Sequence, residues 1–427
     1  MTTPFSYFTD DDLDDFVSMQ DTNYVSLRDW QRRAQIAFIQ SLYNLILESA
    51  TGTGKTFSAI SLIKHIIKID PKVRTLIVVP KNVILETGWY KELVDAGMPI
   101  QDIGVYYGSI KEYSKITLTN MQNLKKIPLE LFDFLILDEV HNYATDNLLP
   151  IISTPCKYKL GLTATIKRQD YRHYDLLKIF DYNVFKYDPQ EALDDGVLNP
   201  FKFINIGITL NEKSREEYEL LSQQYTQVLR AGGGYNKIMM TTGPLKSRML
   251  SLMIERKKLV NNHSDKFDIV NILVQKHKED KVIVFNQFND QTNKMYWSLL
   301  DTEIESRVLH SDIKDKNAKD RILIDFRANK FNILLTTKVL DEGYNLPKLD
   351  TAIITAGENS DKQTIQRMGR ALRKKEKPSK IYQIYCINTI EEASANQRAR
   401  ILKKLAISYK EIIYDKEDFK EQASQIL

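Results

Sequence analysis

Cysteine is almost missing from this 427-residue chain: only Cys156 and Cys386 occur, far apart and outside any CxxC or Cys/His cluster. A disulfide-knit scaffold and a cysteine-held zinc site are thereby excluded, and a reducing compartment is indicated. The six histidines are scattered and suggest no metal set, so no structural metal is expected. Long apolar runs are also lacking. The best stretches, TLIVVP and FLILDEV, have the length of a strand, not the roughly 18 to 20 residues that span a bilayer, and no membrane partner is expected. The first residues, MTTPFSYFTDDDLDDF, are acidic where a secretory signal is basic, so the chain reads as cytoplasmic, or nuclear in a host with a nucleus, and not secreted. Neither sign of charge prevails. With 60 basic and 56 acidic residues the formal net charge is +4, too mild to require a polyanionic partner by itself.

What is present is the composition of a soluble globular protein, 43% apolar and 27% charged, long enough for two or three domains. Residues 1–26 form an acidic segment in which five of the six positions from Asp10 to Asp15 are aspartate, read as a solvated tail. Beyond it, short apolar runs bounded by turn residues alternate with amphipathic stretches, the pattern of parallel sheets covered by helices. Strands are expected near Leu45–Glu48, Thr75–Val79, Val105–Tyr107, Ile116–Thr119, Phe134–Leu137 and Tyr158–Leu162, and again at KVIVF, RVLH, FNILLTT, DTAIIT and KIYQIYC. The fold class is α/β, with one lobe over residues 27–193 and a second over 194–427. Residues 211–277, rich in Glu, Lys, Gln, Leu and Met, read as a helical insertion near the start of the second lobe, with Tyr218, Leu221, Tyr225 and Val228 at helical spacing. Gly232, Gly233 and Gly234 break it and read as a flexible loop tip. A last helix, about 391–408, is expected to present Arg398, Arg400, Lys403 and Lys404 on a solvated face.

Chemistry enters at Glu48-Ser-Ala-Thr-Gly-Thr-Gly-Lys-Thr56, set between an apolar strand and an amphipathic helix. This is the context of a phosphate-binding loop, although Ser49 replaces the usual first glycine. Gly52 and Gly54 would let the backbone curl until the N–H groups of the loop, those of Thr51 and Thr53 included, face a phosphate, and the helix N-terminus adds its positive dipole end. Lys55 would reach the β and γ phosphates of ATP, and the Thr56 hydroxyl would bind Mg²⁺. A second strand, Phe134–Leu137, ends in Asp138-Glu-Val-His141, acids at the strand edge where open α/β sheets bind ligands. Asp138 would hold Mg²⁺ through water and Glu139 would orient and deprotonate the attacking water.

With these two segments the chain resembles the superfamily 2 helicases and translocases, in the form that carries a DEVH box. Further motifs follow in that family's order over about residues 27–386. Leu27-Arg-Asp-Trp-Gln31 resembles the upstream glutamine motif, which implies Gln31 as an adenine contact. Val78-Val-Pro80-Lys81, continuing to Trp89, resembles the segment that touches the nucleic-acid backbone, and Thr119 is assigned to the same nucleic-acid or coupling set. Leu162-Thr163-Ala-Thr165 resembles the motif that couples hydrolysis to movement, with His141 as an interlobe coupler. In the second lobe Val282–Phe285 and Leu335–Leu346 resemble the fourth and fifth motifs, implying Thr336 and Thr337 for nucleic acid or coupling and Gly343 for nucleotide. Gln366-Arg-Met-Gly-Arg370-Ala-Leu-Arg373 resembles the arginine motif, implying Gln366 lining the site and Arg370 and Arg373 as fingers toward the γ-phosphate. The implied fold is two RecA-like parallel-sheet lobes in tandem, and the implied cofactors are ATP and Mg²⁺.

Within the superfamily, Asp194–Pro200, the VPK…W stretch and QRMGRALR resemble the group that contains RecG, XPB, the restriction-enzyme motors and phage UvsW. The phage-type branch-migration helicases are the nearest in size, so the expected partner is DNA, branched or forked, and the expected state a monomer. A SWI/SNF-like duplex translocase that separates no strands is the alternative, followed by an RNA-duplex helicase. A non-hydrolysing clamp would need neither Glu139 nor the arginine fingers.

Overall fold

The computed structural model describes residues 27–80, 85–168, 170–300, 302, 304–337, 348–356 and 377–414. Lys81, Gly343, Gln366, Arg370, Arg373 and the acidic run Asp10–Asp15 lie outside the described residues. Two compact units are present, one up to Ala192 and one from Leu193 onward.

The first unit begins with α1 (Asp29–Gln40) and β1 (Asn44–Ser49), then α2 (Lys55–Ile69) and β2 (Thr75–Val79). A π-helical turn, Leu85–Tyr90, runs into α3 (Lys91–Asp95), followed by β3 (Ile103–Tyr107), β4 (Ile110–Lys111), β5 (Ile116–Asn120) and β6 (Phe134–Leu137). After α4 (Leu149–Ile152) come β7 (Tyr158–Thr163), α5 (His173–Ile179), β8 (Val184–Tyr187) and α6 (Pro189–Asp194). The strand order is β4-β3-β5-β2-β6-β7-β1-β8, parallel throughout except for the β3/β4 pair. β2, β5, β6 and β7 are buried along their whole length, so they read as continuous apolar runs, as strands with helices on both faces do. β2, β6, β7 and β1 are adjacent and parallel, so the segments that follow Val79, Leu137, Thr163 and Ser49 all leave the sheet at one edge.

The second unit opens with β9 (Phe201–Ile208), then α7 (Glu212–Ala231), α8 (Tyr235–Met239), α9 (Pro244–Asn261) and α10 (Ser264–Lys276). β10 (Val282–Phe285), α11 (Asn289–Leu300), β11 (Ser306–Leu309), α12 (Lys316–Arg327), β12 (Ile333–Thr336), β13 (Thr351–Ile354), β14 (Ser379–Cys386), α13 (Ile390–Leu405) and β15 (Ser408–Tyr414) complete it. The order β11-β12-β10-β13-β14-β9-β15 is parallel at every pairing. Ile269, Val270, Leu273 and Val274 seat α10 on one sheet face against Ile204, Ile206, Ile384 and Val284.

Two elements of this sheet were not legible in the sequence. β9 pairs with both β14 and β15, yet Asn205 and Gly207 interrupt its apolar run. β15 is a largely exposed edge strand, and the expected helix over 391–408 ends at Leu405 before it. Arg398 corrects the solvated-face reading of α13. It is 4% exposed and its Nε donates to Gln383 Oε1 at 2.8 Å, while Gln383 Nε2 donates to Asn205 Oδ1 at 2.9 Å. The guanidinium is buried because polar residues on β9 and β14 face α13, and a buried charge is tolerated only with such partners.

The Tyr218 stripe of α7 faces α9, where Arg256 lies 5.2 Å from the Tyr218 ring and 5.0 Å from that of Tyr225 and donates to Tyr218 Oη at 3.0 Å. The glycine triplet is a tight turn, not an open loop tip. Gly233 and Gly234 have φ of 72° and 103°, and a Cβ on Gly232 would stand 2.2 Å from Ile238 Cγ1, whose side chain is buried. Among the described residues no helix is long and apolar enough to cross a membrane, and no group of three or more His, Cys, Asp and Glu side chains could hold a metal ion.

Candidate nucleotide site

β1 ends at Ser49, and the chain then turns through Gly52 and Gly54, whose φ values of 89° and 102° are open to glycine and strained for other residues. Gly54 is the N-cap of α2, so the first backbone N–H groups of a 15-residue helix point into the loop. Thr53 is buried, its Oγ1 donating to the Ala50 carbonyl at 2.7 Å. The Lys55 ammonium folds back onto the loop, donating to the Ser49 carbonyl at 2.7 Å and that of Ala50 at 3.3 Å. Burial pushes the Lys55 pKa down, and the nearby Glu139 and Asp138 carboxylates oppose that shift.

The glutamine segment packs on this loop. Gln31 Nε2 donates to the Gly54 carbonyl at 3.2 Å, its Oε1 accepts from the Arg28 N–H at 3.0 Å, and Arg28 Nη1 donates to the Thr53 carbonyl at 2.6 Å. A Cβ on Gly54 would meet Gln31 Nε2 at 3.1 Å and push the amide by a few tenths of an ångström, in addition to the strain at φ.

At the end of β6, Asp138 Oδ1 accepts from the Glu139 N–H at 2.9 Å and Oδ2 accepts from Trp89 Nε1 at 3.0 Å. Burial and the Glu139 charge push the Asp138 pKa up to about 6, against the Trp89 hydrogen bond and the Lys55 charge. Glu139 itself has φ 49° and ψ 53°, a left-handed conformation that a non-glycine residue adopts at a cost of about 1 to 3 kcal/mol. Glu139 Oε2 is buried without a hydrogen-bond partner among the described residues, 3.4 Å from His141 Nδ1. Beneath the pair, Tyr143 donates its hydroxyl to the Val78 carbonyl at 2.9 Å.

A relay continues along the same sheet edge. His141 Nδ1 lies 2.9 Å from Thr163 Oγ1, which donates to the Thr165 carbonyl at 2.8 Å and accepts from the Thr165 N–H at 3.1 Å. The Ile166 N–H donates to Glu48 Oε1 at 3.2 Å, and Arg168 Nη1 donates to the His141 carbonyl at 2.6 Å. Phosphate loop, acidic box and the Thr163–Thr165 segment therefore form one hydrogen-bonded set. Glu48, Arg28 and Arg168 belong to it; in the sequence Glu48 and Arg28 read only as parts of their motifs, and no local signal marks Arg168.

Other expected contacts fall differently. Pro80 follows β2 at this edge and is half-buried. Trp89 is not on a nucleic-acid surface: it is 1% exposed and turned toward Asp138. Thr119 is fully buried with its hydroxyl on the Tyr106 carbonyl at 2.8 Å, and Thr336 is fully buried on the Leu309 carbonyl at 2.8 Å. Their hydroxyls are spent inside the sheets, so of the nucleic-acid or coupling roles implied for both, direct contact does not fit. Thr337, at the end of β12, bonds Asn289 Oδ1 at 3.3 Å, and Asn289 Nδ2 donates to Ser311 Oγ at 2.8 Å, a polar group at the strand ends of the second unit.

The oxygen donors present, the Thr56 hydroxyl and the Asp138 carboxylate, are the hard ligands that suit Mg²⁺, and Glu139 Oε2, without a hydrogen-bond partner among the described residues, suits a water-orienting base. A phosphate on the loop would draw Lys55 from the backbone carbonyls it now holds.

Residues 24–168 match the family described as type III restriction enzyme, res subunit, and residues 265–375 match the helicase conserved C-terminal domain. The DNA 3'-5' translocase XPB2 of Sulfurisphaera tokodaii is 26% identical over 389 residues, covering 88% of this chain and 84% of the relative. The DNA 3'-5' helicase XPB of Mycobacterium tuberculosis is 23% identical over 407 residues, with coverage of 92% and 66%, so the chain spans about two thirds of that longer relative. The crystal structure of the Pyrococcus furiosus Hef helicase domain shares the fold, with a TM-score of 0.59 at 16% identity over 86% of this chain and 97% of that one.

Proposed function

We propose that this chain, a member of the superfamily 2 helicases and an ATP-dependent enzyme, is a DNA translocase of the XPB kind that uses ATP hydrolysis to remodel branched DNA. The observation that carries the reading is the continuous set from Lys55 through Asp138, Glu139 and His141 to Thr163, which joins phosphate binding, water activation and a segment leading away from the site.

In this reading Lys55 and the backbone N–H groups of the loop bind the triphosphate, and Gln31 orients the adenine side from its place on Gly54. Thr56 and Asp138 hold Mg²⁺, which offsets phosphate charge when bound. Glu139 aligns the attacking water and takes its proton, its carboxylate held ready by the left-handed backbone. Arg370 and Arg373 supply the cations that stabilise charge on the transferring phosphoryl group, with Gln366 and Gly343 beside the nucleotide. His141 and Thr163 pass the change in phosphate occupancy to Thr165 and beyond.

DNA is gripped through its phosphates, so affinity falls steeply with salt and little sequence is read. Pro80, Lys81 and Thr337 are the proposed backbone contacts. Preference for branched substrates rests on shape: α7, α8 and α9, with exposed Lys237 and Arg248, offer a second surface for another duplex arm. The names of the relatives include both translocase and helicase, which keeps a duplex translocase without strand separation as the second reading.

One comparison tests these readings: ATPase stimulation and remodelling measured together on linear duplex, forked DNA, a four-way junction and an RNA duplex. Faster remodelling of forks or junctions than of blunt duplex supports the first. Equal activity on linear duplex, with displacement of bound protein but no strand exchange, supports the second, and stimulation by RNA duplex alone overturns both.

A further inference from the structure

Trp89 stands out because it does what its place in the sequence does not suggest. It lies in the π-helical turn Leu85–Tyr90, at the end of a segment that begins with Val78 and Pro80, yet its ring is 1% exposed. Its indole N–H spends its single donor on Asp138 Oδ2 at 3.0 Å. The other oxygen of the same carboxylate accepts from the Glu139 N–H at 2.9 Å. Both oxygens are thus held from the protein side, which fixes the carboxylate plane and leaves one lone-pair direction on each oxygen for a ligand.

A π-turn inserts one residue per turn relative to an α-helix and frequently marks a functional position. Here it swings the indole down from the helix toward the end of β6. Packing alone would be served by any large apolar ring, whereas an N–H aimed at a buried carboxylate both satisfies one of its oxygens and fixes its orientation.

We propose that Trp89 is a positioning residue for the metal site: its indole N–H holds Asp138 in the orientation that takes Mg²⁺ with the nucleotide. The inference rests on the proposed ATPase reading, which gives Asp138 its metal. Outer-shell hydrogen bonds of this kind typically change metal affinity by about 10- to 100-fold when removed.

The test reads metal binding, not turnover. Mn²⁺ is titrated into the ADP complex of the full chain by electron paramagnetic resonance, and ADP affinity is measured separately in EDTA, for the unaltered protein and for Trp89→Phe. The expected result is a fall in Mn²⁺ affinity of about tenfold or more with metal-free ADP affinity within twofold. Unchanged Mn²⁺ affinity, or an equal fall in both affinities, overturns the proposal and leaves Trp89 as packing. A measurement on the unaltered protein guards against a variant that does not fold. Of the three tryptophan indole N–H signals, from Trp30, Trp89 and Trp297, the one assigned to Trp89 should move when Mg²⁺ is added to the ¹⁵N-labelled ADP complex. No movement of that signal also overturns the proposal. If the unaltered protein binds no metal with nucleotide, the ATPase reading itself fails, an outcome distinct from failure of the Trp89 assignment.

Discussion

The imidazole Nδ1 of His141 lies 2.9 Å from the hydroxyl of Thr163, which already donates its one proton to the Thr165 carbonyl at 2.8 Å. Nδ1 is therefore the donor, with Glu139 Oε2 3.4 Å from the same nitrogen. A change at Glu139 is felt at the end of β7 through one ring. His141→Ala and Thr163→Ala should each lower nucleic-acid-stimulated turnover about tenfold with little change in nucleotide affinity, and the double variant should fall short of the product, with a coupling of about 1 to 2 kcal/mol. Steady-state ATPase rates and nucleotide titrations on the four proteins check this. Fully additive losses would mean that the two residues act apart.

Lys55 and Glu139 face the same space with different tasks. Lys55→Ala should weaken nucleotide binding and abolish turnover, because it removes the cation that meets the phosphates. Glu139→Gln should keep ATP bound and lower the chemical step about 10²- to 10⁴-fold, because only proton transfer is lost. Single-turnover hydrolysis beside nucleotide binding separates the two, and steady hydrolysis by Glu139→Gln would remove it from the role.

In the second unit Lys266 is fully buried, its Nζ 2.7 Å from Glu391 Oε1 and donating to the Thr355 carbonyl at 2.9 Å. Glu391 also accepts from the Cys386 N–H at 3.0 Å. Glu391→Gln leaves a buried ammonium without its counter-charge and should destabilise this unit by about 3 to 5 kcal/mol, whereas Lys266→Met with Glu391→Leu should recover most of the loss. Urea unfolding followed by a probe in the second unit measures both. A double variant as unstable as the single one would show that the pair is worth more than its geometry implies.

The strand pattern, the helical insertion and the parts of the nucleotide site were legible because each rests on a local signal: apolar runs of strand length, periodic apolar residues, and Gly52, Gly54, Lys55 and Asp138 next to them. What escaped depends on distant partners. β9 carries Asn205 where an apolar residue is expected, and the position makes sense only once Gln383 and Arg398 stand against it. Trp89 reads as the end of a nucleic-acid motif until the π-turn brings it to a carboxylate 49 residues away. Thr119 and Thr336 look like polar contacts at strand ends, and only the packed sheets reveal that their hydroxyls face backbone carbonyls.

His263 supplies a test of the fold through pH. Its ring is 4% exposed, and neither nitrogen has a hydrogen-bond partner among the described residues. Burial lowers its pKa below the usual 6.5, assisted by the Lys266 charge and opposed by Asp265 and Glu391. The folded state therefore holds fewer protons than the unfolded chain just below pH 6.5, and stability falls as pH falls toward the depressed pKa. Asp138, raised to about 6, has the opposite sign, since the folded state gains its proton before the unfolded chain does. That contribution is common to the unaltered protein and to His263→Leu and cancels in their difference. Between pH 7 and pH 5 the unaltered protein should lose more stability than His263→Leu, as read from urea midpoints at several pH values. Parallel curves for the two proteins would mean that the buried ring accepts its proton as readily as an exposed one.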